Sequence, residues 1–299
     1  MTRCQLTGQS RRHHSTLIGC ALLTSSVLSA FSTSALGGPP FQTDDPEPVD
    51  LGHYEFYVFS NRDRTPVEAD TSGPALEFNW GALPNTQLHL IVSFGQIAPS
   101  NNPLYAPAGA GPSAYGLLDT ELGVKYRFIS QTKFRPEIGT FTMIELPTGS
   151  FDRGLGVGKP WYKLPIWIQK DSDPWTTYGG GGYQVVNQVG YKNFPYAGWL
   201  LQRDVGEKWT LGGELWYHGA EGIASAQTHS ATMFDFGGYY YFRKPAFQLL
   251  FCLGHTVVGQ SETYAYLGLY WTWGKKDANS SGKVAWSNTA RAPASLSNP

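Results

Sequence analysis

The chain has 299 residues, a formal net charge of -1 and only 15% charged residues, against 14% aromatic residues and 35 glycines. A soluble domain carries more charge and fewer aromatics, and a net charge this small removes the electrostatic basis for binding nucleic acid. Beyond the N-terminus no apolar run reaches the ~18 residues that a membrane helix needs, so if this chain crosses a membrane it does so with strands.

Residues 1–36 read as an export signal. Arg3, Arg11 and Arg12 form a basic start, residues 17–31 are apolar and small, and Thr33-Ser34-Ala35 offers a small-residue cleavage site. Leu17-Ile18-Gly19-Cys20 superficially matches a lipoprotein cleavage box, but the apolar stretch follows Cys20 instead of preceding it. With Cys4 and Cys20 in the signal, Cys252 has no partner for an intramolecular disulfide, and its apolar neighbours mark it as a packed small residue. Residues 37–50 carry Asp44, Asp45 and Glu47 between prolines. The acids raise the thought of calcium, but the prolines and the missing EF-hand spacing favour an extended periplasmic strap. So short a segment predicts no folded plug.

From 51 to 273 the dominant signal is alternation of apolar and polar residues with a period of two. Residues 76–80 set Leu76, Phe78 and Trp80 against Glu77 and Asn79; residues 88–94 set Leu88, Leu90, Val92 and Phe94 against His89 and Ser93. In 118–128, Leu122, Val124, Tyr126 and Phe128 alternate with Glu121, Gly123, Lys125 and Arg127. The pattern returns at Trp209, Leu215 and Tyr217 against Thr210, Glu214, Trp216 and His218, then at Phe234, Phe236, Tyr240 and Phe242 against Asp235, Tyr239, Tyr241 and Arg243. It closes with Leu267, Leu269, Trp271 and Trp273 against Tyr266, Gly268, Tyr270 and Thr272. Weaker candidates at 53–60, 134–146, 164–170, 175–186, 195–205 and 247–255 bring the total to about twelve strands of the ~10 residues a tilted membrane strand requires.

The connections alternate in length. Short turns at 82–85, 130–133, 171–173, 206–208 and 244–245 are interleaved with longer ones at 61–73, 96–115, 147–160, 187–194 and 219–229. A membrane barrel has this beat because its periplasmic turns are short and its outer loops long, and the order places both termini in the periplasm. Trp80, Tyr126, Phe128, Trp161, Trp175, Trp209, Tyr217, Phe242, Trp271 and Trp273 sit at strand ends, as interfacial girdles require. The expected fold is an all-β antiparallel transmembrane barrel, with outer-membrane lipid as its partner. A polar, low-complexity tail, 274–299, follows it and reads as disordered.

Three stretches also carry a family likeness. They are Gly38-Pro39-Pro40-Phe41-Gln42-Thr43-Asp44-Asp45-Pro46-Glu47-Pro48-Val49, Glu121-Leu122-Gly123-Val124-Lys125-Tyr126-Arg127-Phe128, and Glu145-Leu146-Pro147-Thr148-Gly149-Ser150. With Leu164-Pro165-Ile166-Trp167 and residues 175–182, they resemble the bacterial outer-membrane family named for the meta-pathway of phenol degradation. The likeness runs from about residue 37 to 273 and rests on structural motifs. Membership implies an outer-membrane barrel of transporter type, loosely grouped with channels for hydrophobic compounds.

The candidate functional residues are those on the inward face. Glu121, Lys125, Arg127, Arg135, Glu137, Glu145, Glu214, Asp235 and Arg243 are expected to line the lumen, either selecting solutes or pairing across it and filling it. Tyr239 and Tyr241, with Trp216, Tyr264 and Tyr266, add aromatic surface that suits a small hydrophobic or aromatic solute or, equally, internal packing. The two readings are passive transport of such compounds and a closed structural or surface-interaction barrel whose loops carry the function. A lipase is the rival class, but His229-Ser230 and His89 with Ser93 lack a nucleophile motif. No cofactor is expected: there is no Cys/His zinc spacing, and residues 179–182 lack the lysine and helix of a phosphate loop. The sequence carries no signal for an oligomeric state.

Overall fold

The computed structural model describes residues 38–100 and 112–274. The export signal with Cys4 and Cys20, and the tail beyond Gly274, lie outside the described residues. Strands β1 (His53–Arg64), β2 (Glu68–Leu83), β3 (Thr86–Pro99), β4 (Ala114–Leu117), β5 (Thr120–Ile129), β6 (Glu137–Leu146) and β7 (Trp161–Ser172) form the first half. The second half is β8 (Trp175–Val186), β9 (Phe194–Val205), β10 (Trp209–His218), β11 (Ala231–Arg243), β12 (Phe247–Gly259) and β13 (Thr263–Gly274). Each pairs antiparallel with its sequence neighbours, except that β4 and β5 both pair with β3 and not with each other, and β1 also pairs with β13, from His53↔Gly274 to Arg64↔Thr263. The sheet is therefore closed and has no free edge, which is the condition for strands in hydrocarbon. Because β4 and β5 both pair with β3, they are two pieces of one stave broken at 118–119, and the barrel has twelve staves.

The expected alternation is realised with its apolar side outward. Leu76, Phe78, Leu88, Leu90, Leu122, Val124, Leu215, Phe234, Phe236 and Leu267 are exposed, whereas Glu77, His89, Glu121, Lys125, Glu214 and Asp235 are buried. In a water-soluble sheet those assignments would be reversed. Near the terminal end the outward rings form a belt. Tyr54 stacks on Phe78, Trp80 and Trp273, and a second run of ring contacts passes from Trp271 through Phe247, Phe242 and Tyr240 to Trp209. Trp and Tyr tolerate this position because each has an apolar body and a polar edge.

Two expectations are corrected. Residues 61–73, read as a long outer loop, are strand: β1 and β2 run on to Arg64↔Ala69 and turn at 65–67. Gly73-Pro74 suggests a loop in the sequence, yet the register shift between Ser72 and Ala75 absorbs the proline as a bulge, and Ser60 Oγ donates to Ser72 O at 2.7 Å. At 16 residues β2 exceeds the ~10 needed to cross lipid, so this hairpin projects beyond the apolar band. The second concerns the path of 37–50, expected as an extended periplasmic strap. Among the described residues of that segment Phe41, Thr43, Asp44 and Asp45 are buried, Phe41 packed among inward rings and the other three bonded to inward side chains. Cys252 is buried and free, as packing predicts.

Phe236, 51% exposed near the middle of β11, reports on lipid contact. Phe236→Arg is expected to cost about 2–4 kcal/mol in reversible denaturant unfolding from lipid vesicles. An effect below ~1 kcal/mol would show that this face does not meet hydrocarbon.

Candidate functional site

The interior of the barrel has two unlike walls. Strands β2 to β7 present charge. His89 Nε2 lies 2.9 Å from Glu121 Oε1, His89 Nδ1 lies 2.6 Å from Asn79 Oδ1, and Lys163 Nζ donates to Glu121 Oε2 at 3.1 Å. Glu145 stands beside Glu121 across the β5–β6 ladder, and Arg127 donates to Glu137 at 3.0 Å. Strands β8 to β13 together with β1 present rings instead: Tyr57, Tyr178, Tyr239, Tyr241, Tyr264, Tyr266 and Tyr270 share one buried cluster with Leu200, Met233, Leu250 and Cys252. The walls differ because inward positions of a closed barrel see neither lipid nor bulk water, so each must find its partners across the lumen.

The N-terminal segment lies between them. Its entry point is Pro40, whose carbonyl accepts from Tyr264 Oη at 3.3 Å, and Phe41 joins the tyrosine cluster. The backbone N–H groups of Gln42 and Thr43 both donate to the Glu214 carboxylate, the first at 3.0 Å, and Gln42 Nε2 donates to Asp235 Oδ2 at 3.1 Å. Lys125 then holds two adjacent acids, with Nζ 2.8 Å from Asp44 and 3.3 Å from Asp45. Further along, Gln169 donates to Glu47 at 3.2 Å and Val49 N–H donates to Gln87 at 3.0 Å. Glycines give the segment its path: a Cβ at Gly198 would strike the Thr43 side chain, and one at Gly139 would strike Pro46. The segment thus packs Phe41 among the tyrosines, spends the polar groups of Gln42 and Thr43 on Glu214 and Asp235 of the same side, and meets the charged wall with Asp44, Asp45 and Glu47.

Of the residues singled out from sequence, Glu121, Lys125, Glu137, Glu214, Asp235, Tyr239 and Tyr241 are buried in this interior, Glu145 is partly buried beside Glu121, and Arg127 is half-buried on Glu137. Arg135 and Arg243 are not there. Arg135 is exposed in the turn 130–136, where it donates to Ser130 O, and Arg243 is exposed at the last position of β11. At strand ends the alternation still assigns a face, but long cations reach the aqueous rim instead. Missed from sequence were Glu77, Lys163, Tyr178 and the acids of the N-terminal segment. Lys163 hides in a stave interrupted by Pro165, and Asp44-Asp45 gave no hint of which cation they meet.

A third group lies at the opposite end, where Asp119 accepts from Gly149 N–H and Val157 N–H, both at 2.9 Å, folding the loop 147–160 over the rim. Both ring nitrogens of His89 are engaged, and His229 is exposed in the loop 219–230.

No family model matches the chain, and no curated protein matches it. Among solved structures it is similar to an outer-membrane channel from Pseudomonas putida F1, with a TM-score of 0.61 at 18% identity over 77% of this chain and 98% of that one. The NanC porin gives a TM-score of 0.49 at 9% identity, over 72% of this chain and 98% of that one. The translocator domain of the autotransporter NalP from Neisseria meningitidis gives 0.48 at 11%, over 74% and 88%. The first likeness shows the fold, and with the outward apolar band it places the protein among bacterial outer-membrane β-barrels.

Removing Lys125 leaves two buried carboxylates without their cation, a loss of about 3–5 kcal/mol for such a pair. In Lys125→Met the cost is expected to fall on docking of the segment. Amides of Gln42 and Thr43 should exchange at least 100-fold faster in hydrogen-exchange mass spectrometry, while barrel amides keep their protection. Unchanged protection of 42–43 would show that Lys125 does not anchor the segment.

Proposed function

We propose that the protein is an outer-membrane channel for small aromatic compounds, closed in this state by its own N-terminal segment. The observation that carries the reading is the position of residues 40–49 between a charged wall and a seven-tyrosine wall, held by side-chain contacts and not by a covalent link. A segment with no strand or helix of its own and a handful of polar anchors is drawn from the low-stability end of a fold. Its withdrawal would leave a lumen lined on one side by rings.

The aromatic wall also supports the solute class. Tyr266 Oη is buried there with no hydrogen-bond partner among the described residues. A flat apolar molecule with one polar edge would stack on these rings and satisfy such a group. The resemblance to the phenol-degradation family points to the same class.

A closed structural barrel is the second reading, favoured by the Lys163–Glu121–His89 and Lys125–Asp44–Asp45 contacts that fill the charged side. Planar-bilayer recording separates the two. A variant lacking residues 38–48 is expected to show stepwise conductance at least tenfold above that of the full chain, and vesicles containing it should admit phenol faster than vesicles containing Tyr178→Ala in the same background. Silence from the deletion variant, with the barrel intact by heat-shifted gel mobility, would leave the structural reading standing.

A further inference from the structure

At the end of the barrel remote from the termini, four stretches of chain bring acids together: the β1–β2 hairpin with Asp63 and Asp70, the end of β10 with His218, the loop 219–230 with Glu221, and the β12–β13 turn with Glu262. One ligating atom from each of His218, Glu221 and Glu262 lies within 4.8 Å of the others. Among the described residues the ion pair these groups make is His218–Glu262, with Nε2 2.7 Å from Oε2, and no lysine or arginine reaches the three carboxylates Asp63, Glu221 and Glu262.

We propose that His218, Glu221 and Glu262 bind a divalent transition-metal ion of the zinc class at this mouth, with Asp63 beside it. The imidazole is already set for the task. Its Nδ1 lies 2.9 Å from the Gly219 carbonyl, which fixes that N–H there, so that exchange of the Nε2 proton for a metal ion turns the Nε2 lone pair toward the carboxylates. The Glu262 carboxylate is oriented from behind in the same way, by Gln260 Nε2 donating to its Oε1 at 2.9 Å, and the loop backbone at Glu221 is held by Thr228 Oγ1 donating to the Glu221 backbone carbonyl at 2.7 Å. Such outer contacts are what hold ligands in register at metal sites.

The second observation is Asp63. Its Oδ1 is buried with no hydrogen-bond partner among the described residues, and Glu221, Glu262 and His218 all lie within electrostatic reach of its carboxyl. Asp70, its direct partner across the β1–β2 ladder, also has a buried, unpartnered Oδ1. Two acids facing each other on one side of a hairpin repel, and a divalent ion beside them gives their unpartnered oxygens a cation to face. Bonds of ~2.1 Å at tetrahedral angles put ligand atoms about 3.4 Å apart, within the span these three already occupy. A nitrogen ligand among carboxylates favours zinc-like ions over calcium or magnesium. The ion would join the loop 219–230 to both hairpins, and this holds whatever the lumen passes.

The test uses the full mature barrel in detergent, stripped with EDTA and titrated with Zn²⁺ by calorimetry, then with Co²⁺ by visible absorption. One equivalent of Zn²⁺ is expected at micromolar affinity or tighter, together with the strong visible bands of a low-coordinate Co²⁺–nitrogen site. His218→Ala and Glu262→Gln should each weaken binding at least tenfold, and His229→Ala should leave it unchanged. Since His218 ends a strand, Glu221→Gln in the loop gives a variant whose fold is not at stake. EDTA should also speed protease cleavage within 219–230. No saturable binding of either ion, or binding as tight in His218→Ala and Glu221→Gln as in the parent, overturns the proposal.

Discussion

The pairing of β1 with β13 is the contact on which everything else rests. Every backbone N–H and C=O in hydrocarbon needs a partner, and the first and last staves are the two that sequence-adjacent hairpins cannot satisfy. Once the seam from His53↔Gly274 to Arg64↔Thr263 is made, the sheet has an inside. Alternation then sorts residues into two environments with opposite demands, lipid without and a sealed lumen within.

The sealed lumen is what makes its contents so strongly paired. Glu214, Asp235, Lys125 and Glu121 are cut off from bulk water on one side and from lipid on the other, so their partners come from nearby staves or from the N-terminal segment. Glu214 illustrates this: it gathers two backbone N–H groups from a segment some 170 residues earlier in the chain. Lys125 does the same with Asp44 and Asp45. These contacts are individually replaceable by water, which is why a segment held only by them suits a reversible closure better than a permanent core.

The two ends of the barrel divide the labour. At the terminal end, rings from Trp80 round to Trp209 fix depth in the bilayer, and the connections are short. At the far end the staves overshoot the apolar band, and the loops are tied down by single polar residues, as Asp119 does for 147–160. The cluster at His218, Glu221 and Glu262 belongs to this second region, where water and ions have access and a charged group can be held by an ion as readily as by a side chain.

The sequence by itself determined the barrel: the period-two patterning of stretches such as 118–128 and 209–217, the turn rhythm and the ring placement all follow from local chemistry, since a strand in lipid must show hydrocarbon on alternate residues. It also marked most of the inward charges, because a charge on the polar face of such a strand has only one direction to point. It did not determine that Arg135 and Arg243 swing out, that 61–73 continues as strand through a bulge, or that Asp44 and Asp45 meet Lys125. Those outcomes depend on which groups the closed sheet sets opposite one another across a lumen. Partners separated by 80 or more residues leave no periodicity to read, so only the tertiary structure could decide them.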